Sequence, residues 1–333
     1  LMSRFMLKHK LSNFFMQRLV VGLITLVLSF YAQAAEDPWL HLEKASQAAR
    51  KLSYKGIFLY QNFQDVRSIE ITHLNNGEEE FARMVTLDGQ PHEALSRGKN
   101  MMVFNSNKEN VMIQERQGQN LFPAILPPDI ESVKAIYTLR FANQERIGGR
   151  EAQIVYLEPK DQFRYLYKLW LDKEFGLILK MSILDHQQKM IEQASFNQIA
   201  LFSGQDLNWF KPNVDTHKKY IMNEAPQNKI SHEKYCTISN LPAGYKEVSH
   251  VTRTMGNQPQ LVHHWVFSDG LSFVSLFVNP IPKDQKSRVG ETRVGSSHVY
   301  ARVMNGNQIM VVGAVPQATI QKISNSIQDM KAH

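Results

Sequence analysis

The sequence predicts an α+β protein of two domains: an N-terminal antiparallel sheet curled into a half-barrel and covered by helices, then a smaller antiparallel sheet packed with a helix. Three observations predict it. Short runs rich in β-branched, aromatic and Met residues recur at hairpin spacing on both sides of residue 203. Helical stripes stand near residue 40, near residue 130 and close to the end of the chain. Between the two sets of strands, residues 203–231 lose periodicity and gain Asn, Lys and Pro, over a span too long for an ordinary loop of one compact domain.

The first segment reads as an export signal. Arg4, Lys8, Lys10 and Arg18 make a basic start without an acid, and Leu19 to Tyr31 is almost wholly apolar. Ala32-Gln33-Ala34 then offers small residues before Glu36-Asp37, which places a signal peptide over 1–34 and the protein in the periplasm. The apolar run of about 13 residues is short of the roughly 20 needed to span a bilayer. Without those four bases, 34 Lys and Arg face 31 Asp and Glu, a net +3, which is too little for a nucleic-acid binder. The charge is uneven, with 20 bases against 22 acids in 35–202 and 14 against 9 in 203–333. Cys236 is the one cysteine, so no intramolecular disulfide forms and stability must come from burial. Its surroundings, HEKYCTIS, carry no catalytic signature, and it reads as a small structural side chain.

Within the first domain, 35–202, Pro38 opens a helix with Trp39, Leu42, Ala45, Ala49 and Leu52 at helical spacing. The runs YKGIFLYQ, RSIEITHL, EFARMVTL, NMMVFN and NVMIQ follow as strands, broken at Asn75-Asn76-Gly77, Asp88-Gly89 and Arg97-Gly98. Pro127-Pro128-Asp129 reads as a helix start capped by Asp129, with Ile130, Val133, Tyr137 and Phe141 on one face. Strands resume at Gln144 and run through REAQIVYLEP, FRYLYKLWLD, GLILKMSILD and MIEQASFNQIALF. In FRYLYKLWLD the period of two sets Tyr165, Tyr167, Leu169 and Leu171 inward and leaves Trp170 on the less buried face, either under a neighbouring loop or against a partner. After the linker, 203–231, the second domain, 232–333, has strands in GYKEVSHVTRTM and LVHHWVFSDGLSFVSLFVNP with a hairpin at Ser268-Asp269-Gly270. SSHVYARVM and NQIMVVGAV flank the turn Asn305-Gly306, and Pro316 opens a closing helix with Ile320, Ile323 and Ile327 on one stripe.

No G-x-S-x-G elbow, P-loop, G-x-G-x-x-G turn or H-E-x-x-H pair occurs. His263 and His264 are adjacent on a strand, so they point to opposite faces and cannot easily share an ion. Ser296-Ser297-His298 has no identifiable orienting carboxylate. No catalytic residue, metal or cofactor is therefore expected, and binding is the default function. Phe58, Tyr60, Met84, Met102, Phe104, Tyr137, Tyr165 and Tyr167 are candidate walls of a lipid pocket in the half-barrel; a solid core built from the same residues fits their periodicity equally. Lys283, Lys286, Arg288 and Arg293, in the connection NPIPKDQKSRVGETRVG, are candidates for capturing an acidic partner, and Trp209-Phe210 in the linker is a second candidate contact.

Two long strings carry a resemblance. DQFRYLYKLWLDKEFGLILKMSILDHQQKMIEQASFNQI (161–199) resembles the periplasmic regulators of the MucB/RseB family, and LPAGYKEVSHVTRTM, VHHWVFSDGLSFVSLFV and VGAVPQATIQKISNSI are similar to its second domain. The resemblance covers essentially all of the chain after the leader and is weakest over 61–128. It implies a first domain like the half-barrel of the lipoprotein carriers LolA and LolB. It also implies a partner: the periplasmic segment of a single-span anti-sigma factor of the RseA or MucA kind, shielded from its site-1 protease until lipopolysaccharide or another lipid releases it. No residue role is carried over from the family. A lipid or lipoprotein carrier and, further off, an envelope-polymer enzyme are the competing readings, and oligomeric state is left open, a homo-oligomer included.

Overall fold

The computed structural model describes residues 37–62, 65–90, 92–98, 100–104, 110–115, 121–204, 206–211, 221–224, 236–254, 261–282 and 286–328; the expected signal peptide and Lys283 lie outside them. Helix α1 (Trp39–Lys51) buries Leu42, Ala45, Ser46, Ala48 and Ala49 on one stripe and places Arg50 and Lys51 in its last turn, where cations meet the carbonyl end of the helix dipole. The Ser46 hydroxyl donates to the carbonyl of Pro127 (2.7 Å) and Arg50 to that of Leu126 (2.6 Å), which pins the aperiodic 121–130 segment to the helix.

Two meanders make one large sheet. The first comprises β1 (Tyr54–Asn62), β2 (Asp65–Asn75), β3 (Glu80–Thr86), β4 (Glu93–Arg97), β5 (Asn100–Phe104) and β6 (Asn110–Glu115). After the short helix α2 (Glu131–Ile136), the second comprises β7 (Tyr137–Ile147), β8 (Arg150–Pro159), β9 (Leu166–Asp172), β10 (Ile178–Leu184) and β11 (Met190–Leu201). Antiparallel pairing of β1 with β11, from Tyr54↔Leu201 to Asn62↔Glu192, joins them. Strand β12 (Ile221–Glu224) pairs in parallel with β6, so the order is β12-β6-β5-β4-β3-β2-β1-β11-β10-β9-β8-β7.

Three expectations change here. The helix after Asp129 ends at Ile136, and Tyr137 and Phe141 belong to β7; Asp129 accepts the Glu131 N–H (3.0 Å), but the cap position is Ile130, with no side-chain cap. Trp170 is 3% exposed, because β9 is covered on both faces: its indole N–H donates to Glu145 (2.7 Å) and the amines of Lys168 and Lys180 lie over its ring at 4.5 Å. The aperiodic 203–231 span contributes both a 3-10 turn (Leu207–Phe210) and β12.

The smaller unit starts with the two-residue strand β13 (Thr237–Ile238) and continues with β14 (Lys246–Thr254), β15 (Leu261–Ser268), β16 (Phe273–Pro280), β17 (Gly290–Val294), β18 (Ser297–Met304) and β19 (Asn307–Gly313). Six of them form a sheet in the order β14-β15-β16-β19-β18-β17. The Asn305-Gly306 turn between β18 and β19 has positive φ at both residues (50° and 73°), the conformation that suits the twist of a two-residue hairpin. Helix α3 (Gln317–Asn325) packs Ile320 and Ile323 into a core with Trp265, Phe267, Leu276 and Val311. It stops before Ile327, which is buried instead on the short strand β20 (Ile327–Gln328), paired with β13.

Candidate binding cavity

Strand register builds the site. Side chains of one face recur every second residue, so cross-strand partners line up in rows. One row runs Tyr167 (β9), Ile183 (β10), Glu192 (β11) and Asn62 (β1); the next runs Leu169, Met181, Ala194, Tyr60 and Arg67; a third joins Phe196, Phe58, Ile69 and Thr86. A cavity of about 440 Å³ lies over these rows. Its walls reach from Met84 on β3 to Tyr167 on β9, across six neighbouring strands that would span about 24 Å if flat. One small cavity touches all of them because the sheet curls into the expected half-barrel.

Leu121, Phe122 and Ile125 cover one side, and Phe122 packs against Phe58 (5.0 Å between ring centres) and Phe196 (5.1 Å). Leu271 and Ser272 of the β15–β16 turn, Phe273 at the start of β16 and Ala314 just after β19 complete the wall. The cavity is therefore shared between the two sheets. The contact around it is close: Arg164 donates to Asp269 and to the Ala243 carbonyl, Thr319 to the Phe163 carbonyl (2.6 Å), and Asn62 to Ser296 (3.0 Å). Gly244, at φ +82°, has no room for a side chain, since a Cβ there would meet Ile136 at 2.8 Å.

The cavity is mostly apolar, with Glu192, Tyr60, Tyr167, Arg67, Thr86 and Ser272 as the polar points of its described lining. Burial pushes the Glu192 carboxyl above its usual range, and the bond from Tyr60 only partly offsets this. The Tyr60 hydroxyl is pushed up to about 12, first by burial and then by the charge of Glu192. Arg67 is answered at the open side by Asp65 (2.6 Å).

Of the residues singled out from the sequence, Phe58, Tyr60, Met84 and Tyr167 line this cavity. Met102 and Phe104 stand on β5, further along the sheet. Tyr137 and Tyr165 are buried beside the cavity, where the Tyr137 hydroxyl donates to the Tyr165 carbonyl (3.1 Å). Burial raises the Tyr165 hydroxyl, and the nearby cation of Arg293 lowers it in part. Lys286 and Arg288 are exposed, and Arg293 is exposed on β17 at the edge of the smaller sheet; the connection thus carries a strand where a plain loop was expected. Trp209 and Phe210 are elsewhere, packed on Phe202 (5.1 Å) and Phe81 (5.6 Å). Strand periodicity gave no access to Leu121, Phe122, Ile125 or the wall from the second sheet. Glu192 was open to detection, as an acid with the parity of Ala194 and Phe196.

A family model described as the MucB/RseB N-terminal domain matches residues 37–214, and one described as the MucB/RseB C-terminal domain matches 231–328. The sigma-E factor regulatory protein RseB of Escherichia coli K12 is 26% identical over 316 residues, which cover 92% of this chain and 96% of that one. The sigma factor AlgU regulatory protein MucB of Pseudomonas aeruginosa is 25% identical over 317 residues, 93% of this chain and 96% of that one. MucB in the solved MucA/MucB complex of Pseudomonas aeruginosa has the same fold, with a TM-score of 0.73 at 23% identity over 89% of this chain and 100% of that one.

Proposed function

The chain belongs to the MucB/RseB family, and from that premise we propose that it is a periplasmic regulator that binds, and is not an enzyme. It holds the periplasmic segment of a single-span anti-sigma factor, keeps the first protease from cutting it, and so restrains an envelope-stress sigma factor. A lipid, lipopolysaccharide among the candidates, enters the cavity and releases the partner. The observation that carries this reading is that the two family domains match in order across the chain; relatives over the same span are named as sigma-factor regulators. The shared cavity supports the release step: a ligand touching Phe58 and Tyr167 on one side touches Leu271 and Phe273 on the other, so its binding energy depends on how the two sheets meet.

The test is a cleavage assay. Purified protein without residues 1–34 is titrated into the cognate anti-sigma periplasmic segment and its site-1 protease. Cleavage slows as protein is added, and lipid restores it; cleavage unchanged at saturating protein overturns the proposal. A carrier that only shuttles lipid would bind lipid in the same experiment and leave cleavage untouched.

A further inference from the structure

The cavity is apolar over most of its wall, yet Glu192, the one acid among its described lining residues, sits on the inward face between Ile183 and Asn62. We propose that Glu192 sets the ligand class: the cavity takes an apolar chain that carries a hydrogen-bond donor, such as a hydroxyl or an ammonium group, and rejects a chain ending in an anion. This rests on the reading of the cavity as a lipid site.

The groups facing Glu192 fix the argument. On β1, the Tyr60 hydroxyl donates to its carboxylate and leaves further lone pairs free to accept. On β9, Tyr167 is buried and keeps its proton, because burial raises it well above 10. On β2, Arg67 is half exposed and already paired with Asp65, so its charge is answered away from the carboxyl. From the second sheet, the polar lining residue is Ser272, which is neutral. A donor on the ligand therefore adds a charge-assisted bond to a carboxylate that burial has left short of partners. A ligand carboxylate would instead place two like charges in a site walled by Phe58, Met84, Phe122 and Met181. Neither anion has a free cation beside it among the described groups that face the site.

The experiment is displacement of the neutral fluorophore N-phenyl-1-naphthylamine from the full chain without residues 1–34, at pH 8, by dodecanol, dodecylamine or laurate. Dodecanol and dodecylamine should each displace it at concentrations about tenfold or more below laurate. Glu192→Gln should bring laurate to within about twofold of dodecanol by removing the opposing charge, and Tyr60→Phe should leave laurate the weakest ligand. Because burial already penalises the Glu192 charge, the Gln variant should melt no lower than the parent. Laurate binding as tightly as dodecanol to the unaltered protein overturns the proposal, and so does a preference that Glu192→Gln leaves unchanged. If none of the three chains binds, the cavity is no lipid site and the release reading fails as well; binding without discrimination removes the role of Glu192 alone.

Discussion

Arg164 donates from Nε to the carboxylate of Asp269 across 3.2 Å, with its own side chain 1% exposed and that of Asp269 at 0%. The pair joins the loop before β9 to the hairpin between β15 and β16. Asp161 takes a second guanidinium N–H (2.7 Å), and the cation lies over the rings of Tyr137 and Tyr245 at 6.0 and 5.7 Å. Asp269 also accepts the backbone N–H groups of Leu271 and Ser272, so the same carboxylate holds the turn that brings Leu271 and Phe273 to the cavity.

Removing one partner leaves the other buried and unanswered, which typically costs about 3–5 kcal/mol. Arg164→Met should therefore lower the melting temperature strongly. Arg164→Met combined with Asp269→Asn should recover part of the loss, since no isolated charge remains at Asp269 and the amide oxygen can still accept from the Leu271 and Ser272 N–H groups. An additive double variant in urea denaturation would mean that the two side chains act independently.

The basic edge of the smaller sheet should act on the rate of partner capture. Each exposed ion pair contributes only about 0–1 kcal/mol, so single changes at Lys286, Arg288 or Arg293 should be nearly silent. The Lys283, Lys286, Arg288 and Arg293 to Ala quadruple variant should associate several-fold more slowly with an acidic anti-sigma segment at low salt, a difference that closes as the Debye length falls to about 10 Å at 0.1 M. Stopped-flow traces over a salt series decide it; matching rates and slopes would move the contact elsewhere, with Trp209 and Phe210 next to test.

His250 should make the smaller sheet acid-sensitive. Its ring stacks on Trp265 (4.1 Å between centres, 12° between planes), next to His263, and its buried Nε2 has no hydrogen-bond partner. Burial lowers its pKa below 6.5, so the folded state holds it neutral while the unfolded chain takes up a proton. Stability from this group is intact above pH 6.5 and declines as pH falls from there through the lowered folded value. Burial lowers His298 in the same sense. His250→Phe should keep the stack and flatten the fall in urea midpoint between pH 7 and about pH 5.

Cys236 should be slow to react. Burial pushes its thiol up to about 11, so at pH 8 only on the order of one molecule in a thousand carries the thiolate. A disulfide reagent should label it at a rate set by opening of the native state, and within seconds in denaturant. Immediate labelling of the native protein would show that the β13 region opens freely.

Much of this was legible because local rules agreed with tertiary ones. Alternation placed Phe58 with Tyr60 and Tyr165 with Tyr167, and Asn305-Gly306 fixed its hairpin without any long-range information. The helix pattern over Ile130, Val133, Tyr137 and Phe141 misled because spacings of three and four also fit a short helix running straight into a strand; burial of Tyr137 on β7 supplied the apolar position. Trp170 misled for a related reason: strand parity gives the face, but not whether Glu145 and two lysines cover it. Arg164 and Asp269 lie 105 residues apart, and neither has a local signature that names the other. The basic connection reads as a loop because its Gly and Pro outweigh five residues of edge strand.

The seam between β1 and β11 has a consequence for how the protein comes into being. Each meander is built from neighbouring hairpins that close short loops, which is fast, but Tyr54 meets Leu201 only after nearly 150 residues of chain have been made. Phe58 and Tyr60 stand on one side of that seam, Phe196 and Glu192 on the other. Until it closes, the ligand site exists only as two halves with their aromatic faces open to water. A chain emerging N-terminus first must therefore wait, with one half complete and sticky, for the other to arrive. During that interval the newborn protein most needs a chaperone, and variants that weaken the Phe58, Phe122 and Phe196 contact should lower its yield in the cell as well as reshape the cavity they line.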